Sequence, residues 1–135
     1  MLKSYTKIRV RYGETDRMKY LHHGNYALYY EEARSKMLRE LGVSYRDIED
    51  FGVIMPVLEM TSRFYIPAKF DELLTIITYI KEPPKVRFKF EYEILNENNE
   101  LVNTGTTTLV FADSKTGKPI RTPQIFKDLF FDKFS

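Results

Sequence analysis

The chain has 135 residues, 43% of them hydrophobic, and its 21 basic and 19 acidic side chains leave a formal charge of +2. That length supports one domain with a real core, and a charge this balanced forces neither a nucleic-acid nor a membrane reading. The lack of cysteine excludes disulfides, thiolate nucleophiles and cysteine-bound zinc. No apolar run approaches a membrane span or a signal-peptide core, so the expectation is a single cytoplasmic domain over residues 1–135.

Tyr5 to Arg11 alternates apolar with polar residues, as a strand with one face on a core does. The next segment, YGETDRMKYLHHGNYALYY from Tyr12 to Tyr30, carries an acid and two histidines on a turn that runs into a helix. Gly24 and Asn25 offer a permissive backbone and an N-cap oxygen. From Tyr26, residues Tyr30, Ala33, Met37 and Leu41 recur at helical spacing and Gly42 closes the run. Such a helix is about 24–27 Å long at about 1.5 Å per residue. A second, short helix opens at Ser44, with Asp47 as its capping-box partner, and ends at Gly52.

Val57–Ile66, Leu73–Ile80, Val86–Leu95 and Leu101–Ala112 read as strands, with hairpin-turn chemistry at Asn96–Asn99. From Thr122 a capped terminal helix sets Phe126, Leu129 and Phe130 on one face. This order of strand, long helix and antiparallel strands predicts an α+β fold, in which a curved antiparallel sheet wraps one central helix.

A helix start presents unpaired N–H groups and the positive end of the helix dipole, so a developing oxyanion can rest there without a cationic side chain. Asp16, just upstream, is placed to act as general base or nucleophile toward a carbonyl held in that way; its plainer role is a turn aspartate. His23 can lend the oxyanion site its backbone N–H and the substrate its ring, or be a loop histidine with its hydrogen bonds satisfied. Tyr12 can bond Asp16 or the substrate, or pack at the end of the first strand. Glu31 and Glu32 supply either a second acid or a solvated helix face. His22, His23 and Asp16 are metal-capable types, but adjacent histidines converge poorly and the chain has only two, so no metal is expected. Arg63, Lys69, Lys81, Lys85, Arg87 and Lys89 are scattered over strands and connections, where some can meet to bind phosphates and others are solvated.

The string Y-x-E-T-D-x-x-x-x-x-H-H-G-N-Y from Tyr12, followed by YYEEAR, resembles the hydroxybenzoyl-CoA thioesterase-like branch of the hot-dog superfamily, which includes acyl-CoA thioesterases encoded with the Tol-Pal envelope system. The likeness extends more loosely through RFYIPAKFDELL, Arg63 to Leu74. It implies a hot-dog fold, dimers or tetramers whose sheets join edge to edge, active sites between two subunits, and hydrolysis of an acyl-CoA thioester with no cofactor beyond the CoA of the substrate. By resemblance Asp16 takes the catalytic acid position, His23 the position whose N–H polarises the thioester carbonyl, and Tyr12 the position four before the acid. Arg63, Lys85 and Arg87 are the candidates for the CoA phosphates. Where the family usually has a small, glycine-rich stretch after the acid, this chain has Arg17-Met18-Lys19-Tyr20, which bears on the acyl pocket.

Three rivals stand beside acyl-CoA hydrolysis. An acyl-carrier-protein thioesterase would use Lys81, Lys85 and Arg87 toward its acidic carrier. A non-catalytic acyl or aromatic ligand-binding module would use Asp16 only to shape a pocket. A single-strand nucleic-acid binder would use the basic-aromatic alternation of Val86 to Tyr92, against which Glu91 and Glu93 weigh.

Overall fold

A computed structural model describes residues 1–134. The chain runs through β1 (Leu2–Arg9), α1 (Tyr26–Leu41), α2 (Tyr45–Asp50), β2 (Val53–Ile54), β3 (Val57–Phe64), β4 (Leu73–Ile80), β5 (Arg87–Leu95), β6 (Leu101–Val110), β7 (Ala112–Asp113) and α3 (Gln124–Phe130). Five strands form one antiparallel sheet in the order β1-β4-β5-β6-β3. Among the described residues no helix is long and apolar enough to cross a membrane.

Period-two alternation sets the sheet's two faces. Leu74, Ile76, Phe88, Phe90, Tyr92, Ile94 and Leu109 turn inward and are buried, and α1 lies over them with Tyr26, Tyr29, Tyr30, Ala33, Met37 and Leu38. The Tyr30 ring stacks on Tyr92 at 4.3 Å and 11°, a contact worth about 0.5–1.5 kcal/mol beyond its buried area. Gly42, at φ 108°, ends α1 in the left-handed conformation that glycine supplies, and Ser44 with Asp47 closes a capping box on α2. The aromatic residues of α3 close one end: Phe126 and Phe130 meet Phe88 edge to face at 5.8 and 5.6 Å.

Several expected boundaries move. The first strand begins at Leu2, which pairs with Ile80, and stops at Arg9, because the chain then tightens into a 3₁₀ turn at Tyr12–Glu14. The last long strand stops at Val110; Ala112–Asp113 turns away to pair with Val53–Ile54 in a separate two-stranded sheet. The terminal helix has Pro123 before it with no side-chain cap, since the Thr122 hydroxyl donates to the Lys85 carbonyl instead.

The two edges of the main sheet differ. On β1 the outward row is Lys3, Tyr5, Lys7 and Arg9, the charged guard that keeps an edge from pairing. On β3 seven of eight residues are exposed, and Val57, Leu58, Met60 and Phe64 are 47%, 55%, 46% and 50% accessible.

Candidate active site

The segment between β1 and α1 is tied down at both flanks. Val10 N–H donates to Glu72 O at 2.9 Å, Leu21 N–H to Ala68 O at 2.7 Å, and Phe70 N–H to Lys19 O at 2.8 Å, so the loop is laid along residues 68–72. Within it Asp16 makes its own turn. Oδ1 accepts the N–H groups of Met18 at 2.8 Å and Tyr20 at 3.1 Å, and the Lys19 N–H reaches Asp16 O at 3.0 Å. Among the described residues Oδ2 has no donor, which leaves one exposed carboxylate oxygen on a rigidly held turn. Lys19 sits at φ 62°, the left-handed region that glycine favours, in the stretch where the resemblance leads one to look for glycine.

The helix entry is wired differently from the expectation. Asn25 gives α1 no side-chain cap; its Nδ2 donates instead to Glu14 O at 2.8 Å. The cap belongs to His22, whose Nδ1 accepts the Gly24 N–H at 3.0 Å and opens a 3₁₀ turn over His23–Asn25. Accepting at Nδ1 places the neutral ring's proton on Nε2. The Asn25 N–H goes to His22 O and the Tyr26 N–H to His23 O. The exposed His23 N–H alone at this entry has no acceptor among the described residues. The His23 ring stacks on His22 at 4.2 Å.

Glu14 holds the two halves together, a role the sequence reading missed. Its side chain accepts from Arg11 N at 3.0 Å, Arg11 Nη2 at 2.9 Å and Tyr29 Oη at 2.7 Å, while its carbonyl takes the His22 N–H at 2.9 Å. Burial pushes the Glu14 carboxyl up, but the hydrogen bonds from Arg11 and Tyr29 outweigh it and leave the group below its ordinary range. The signal in the sequence was slight: an arginine and a glutamate three apart, with the decisive tyrosine in the next element.

The other candidates are spread out. Tyr12 is exposed, its ring edge-on to Phe70 at 5.4 Å, and no hydrogen bond joins its hydroxyl to Asp16. Glu31 and Glu32 are exposed on α1. Arg63 lies on β3 with its guanidinium 5.5 Å from the Tyr65 ring centre. Because Arg9 pairs with Leu73 and Leu2 with Ile80, Arg87 at the start of β5 and Lys85 just before it lie at the opposite end of the sheet from Asp16, and one chain does not bring them to it. Lys81 is engaged by Glu91 at 3.3 Å. A hollow of about 730 Å³ bordered by Lys3, Arg63, Tyr79 and Glu93 includes neither Asp16 nor His23. Among the described residues no three His, Asp or Glu side chains converge as metal ligands would. An apolar rim of Tyr12, Met18, Phe64 and Phe70, all 43–66% accessible, stands around the loop, and Phe64 meets Tyr26, the first residue of α1, at 5.0 Å.

A helix wrapped by an antiparallel sheet, with an acid-bearing loop at the helix start, defines a class. The model of the Thioesterase-like superfamily matches residues 10–130, and the chain belongs to that family, with its hot-dog fold. YneP of Bacillus subtilis (strain 168) is 31% identical over 125 residues, covering 93% of this chain and 91% of its own length. The acyl-CoA thioester hydrolase YbgC of Escherichia coli O157:H7 is 32% identical over 117 residues, 87% of each chain. A crystal structure of a DHNA-CoA thioesterase from Staphylococcus aureus matches with a TM-score of 0.90 at 38% identity, covering 95% of this chain and 86% of that one.

Proposed function

We propose that the protein hydrolyses acyl-CoA thioesters, with Asp16 Oδ2 as base or nucleophile and the His23 N–H polarising the thioester carbonyl. The observation that carries this is the pairing, on one pinned loop, of an uncommitted carboxylate oxygen with an uncommitted N–H at a helix entry. As base, Oδ2 takes a proton from water while the hydroxide adds to the carbonyl; the oxyanion then collapses, and the departing CoA thiolate recovers the proton. As nucleophile, Oδ2 adds directly, expels the thiolate and leaves a mixed anhydride that water cleaves. Free-thiol release across short, long and aromatic acyl-CoAs tests the activity, and no turnover of any of them would overturn it. Neither route needs a metal, so chelator treatment should leave turnover unchanged. The relatives' names supply the acyl-CoA substrate, and a cytoplasmic setting goes with it.

The same proposal makes the working unit a homodimer joined through β3, the edge on which exposed Val57, Leu58, Met60 and Phe64 outnumber the charged Glu59 and Arg63. A two-fold pairing of β3 with its copy runs antiparallel, so the Val57 end of one chain lies beside the Phe64 end of the other. Arg87, which pairs with Val110 two strands from Val57, then approaches the partner's Asp16 end, where the CoA phosphates would need cations. Light scattering should give a dimer or a multiple of it at micromolar concentration. Lysines at Leu58 and Met60 should yield monomers with little turnover; a wild-type monomer that is fully active would refute the arrangement.

The Glu14 clamp should matter in proportion. Glu14→Gln removes the anion that Arg11 and Tyr29 address, so kcat should fall roughly tenfold with KM little changed, since charged hydrogen bonds carry about 1.5–3 kcal/mol and part of that would be lost as misplacement of Asp16. Tyr29→Phe should do the same, and the double variant should be no worse than either. Because the folded-state pKa is depressed, this stabilisation is whole above the ordinary glutamate value of 4.5 and is lost as pH falls through the lower, folded value. The wild type should therefore lose thermal stability on acidification more steeply than Glu14→Gln.

A further inference from the structure

Arg34, in the middle of α1, is 7% exposed. A charge buried to that degree is ordinarily paired, yet among the described residues no carboxylate oxygen lies within 4.0 Å of its guanidinium. Its Nε–H goes to the Tyr45 hydroxyl at 2.9 Å. Tyr92 is the second phenol beside it, placed to accept from the guanidinium while its hydroxyl also meets Thr107 Oγ1 at 2.6 Å. Most of the five N–H donors of the guanidinium are thus unspent. So is the Tyr45 proton: its oxygen accepts from Arg34, and among the described residues no acceptor takes its O–H. Burial pushes the Tyr45 phenol up, so it stays a neutral donor.

Both side chains border a cavity of about 260 Å³ between α1, α2 and the Val53–Pro56 segment. Its walls include Ile48, Val53 and Met55, and the exposed carboxylates Glu31 and Glu49 also line it. The space corresponds to about nine water volumes at about 30 Å³ each, ample for a small ring or a short chain. A buried cation, a spare phenolic proton and apolar walls together ask for a monoanion with an apolar body. A doubly charged anion such as phosphate would waste the walls and be repelled more strongly by the two glutamates.

We infer that this cavity binds a small organic carboxylate, its oxygens on the Arg34 guanidinium and the Tyr45 hydroxyl and its body against Ile48, Val53 and Met55. Acids of this class are also what thioester hydrolysis releases, but the cavity uses neither Asp16 nor His23, so the inference holds or fails independently of the proposed activity. Calorimetric titration of the full chain with benzoate, hexanoate and inorganic phosphate tests it. The two organic acids should bind once per chain and phosphate far more weakly. Arg34→Met should weaken binding by roughly tenfold or more and Tyr45→Phe by several-fold, as expected for charged hydrogen bonds, while Asp16→Asn should leave it unchanged. Glu49→Gln should tighten it about two- to threefold by removing a rim charge, a gain that a poorly folded variant cannot mimic and that decides the matter if Arg34→Met does not fold. Absence of binding at millimolar acid, phosphate binding as tight as benzoate, or binding abolished by Asp16→Asn and indifferent to Tyr45→Phe and Glu49→Gln would overturn it.

Discussion

Asp16→Asn should lower kcat by roughly 10²–10⁴, the scale of a positioned base, with KM changing far less. The structure makes this a clean substitution. An asparagine keeps the oxygen that accepts from Met18 and Tyr20, so the turn persists, and it places an amide where the uncommitted Oδ2 stood. The loop's other anchors, to Ala68 and Phe70, are backbone bonds that the side chain does not touch. A variant that melts with wild-type midpoint and retains turnover within a few-fold would remove Asp16 from the chemistry and direct attention to Glu31 and Glu32. His23→Ala should be the milder change, because the N–H assigned to the carbonyl belongs to the backbone.

Gly105→Ala should be the most damaging single methyl in the molecule. Gly105 lies on β6 beneath Tyr30, and an added Cβ would fall well inside 3.0 Å of the Tyr30 hydroxyl and 2.8 Å from the Thr61 carbonyl. Neither neighbour can yield cheaply. Tyr30 is fully buried, its hydroxyl bonded to Asn103 and to Ser62 Oγ at 2.9 Å, and Thr61 belongs to the paired backbone of β3. Overpacking of this kind costs about 1–3 kcal/mol, and displacing buried hydrogen bonds adds about 1 kcal/mol each, so roughly 3 kcal/mol and a fall in Tm on the order of 10 °C are expected by calorimetry. Adding Tyr30→Phe should recover part of the loss, since it removes the nearest atom. A Tm within a degree or two of wild type would show that β6 and α1 can separate locally.

Much of the frame was legible in the sequence because local rules agree with the final packing there. The stripe from Tyr26 to Leu41 with Gly42 after it, the Ser44 capping box and the alternating runs of β4 and β5 each carry their own period or cap. Asn25 was misjudged because its amide is turned to the Glu14 carbonyl, an acceptor in an earlier turn, while the side-chain cap at this entry comes from the His22 imidazole on the Gly24 N–H. The roles of Glu14 and Arg34 were barely legible, since each is defined by a tyrosine in another turn or element, Tyr29 for one and Tyr45 for the other. The pairing of β2 with β7 is two residues long, too short to carry a period. The apolar character of β3 could be read, but not that β3 ends the sheet, which depends on the order in which distant strands assemble.

The tyrosines packed between α1 and the sheet also give the molecule an optical handle. The chain has ten tyrosines and no tryptophan, so its near-ultraviolet signal is almost wholly phenolic. Burial pushes Tyr26 and Tyr92 up to about 12 and raises Tyr29 and Tyr30 as well. An alkaline titration followed by phenolate absorbance should therefore show a late wave, from phenols held back above their ordinary range. Because a raised phenol pKa stabilises the fold below the unfolded value and stops doing so as pH climbs through the folded one, the late wave should coincide with unfolding, and its midpoint offers a label-free readout of how firmly the helix is held against the sheet.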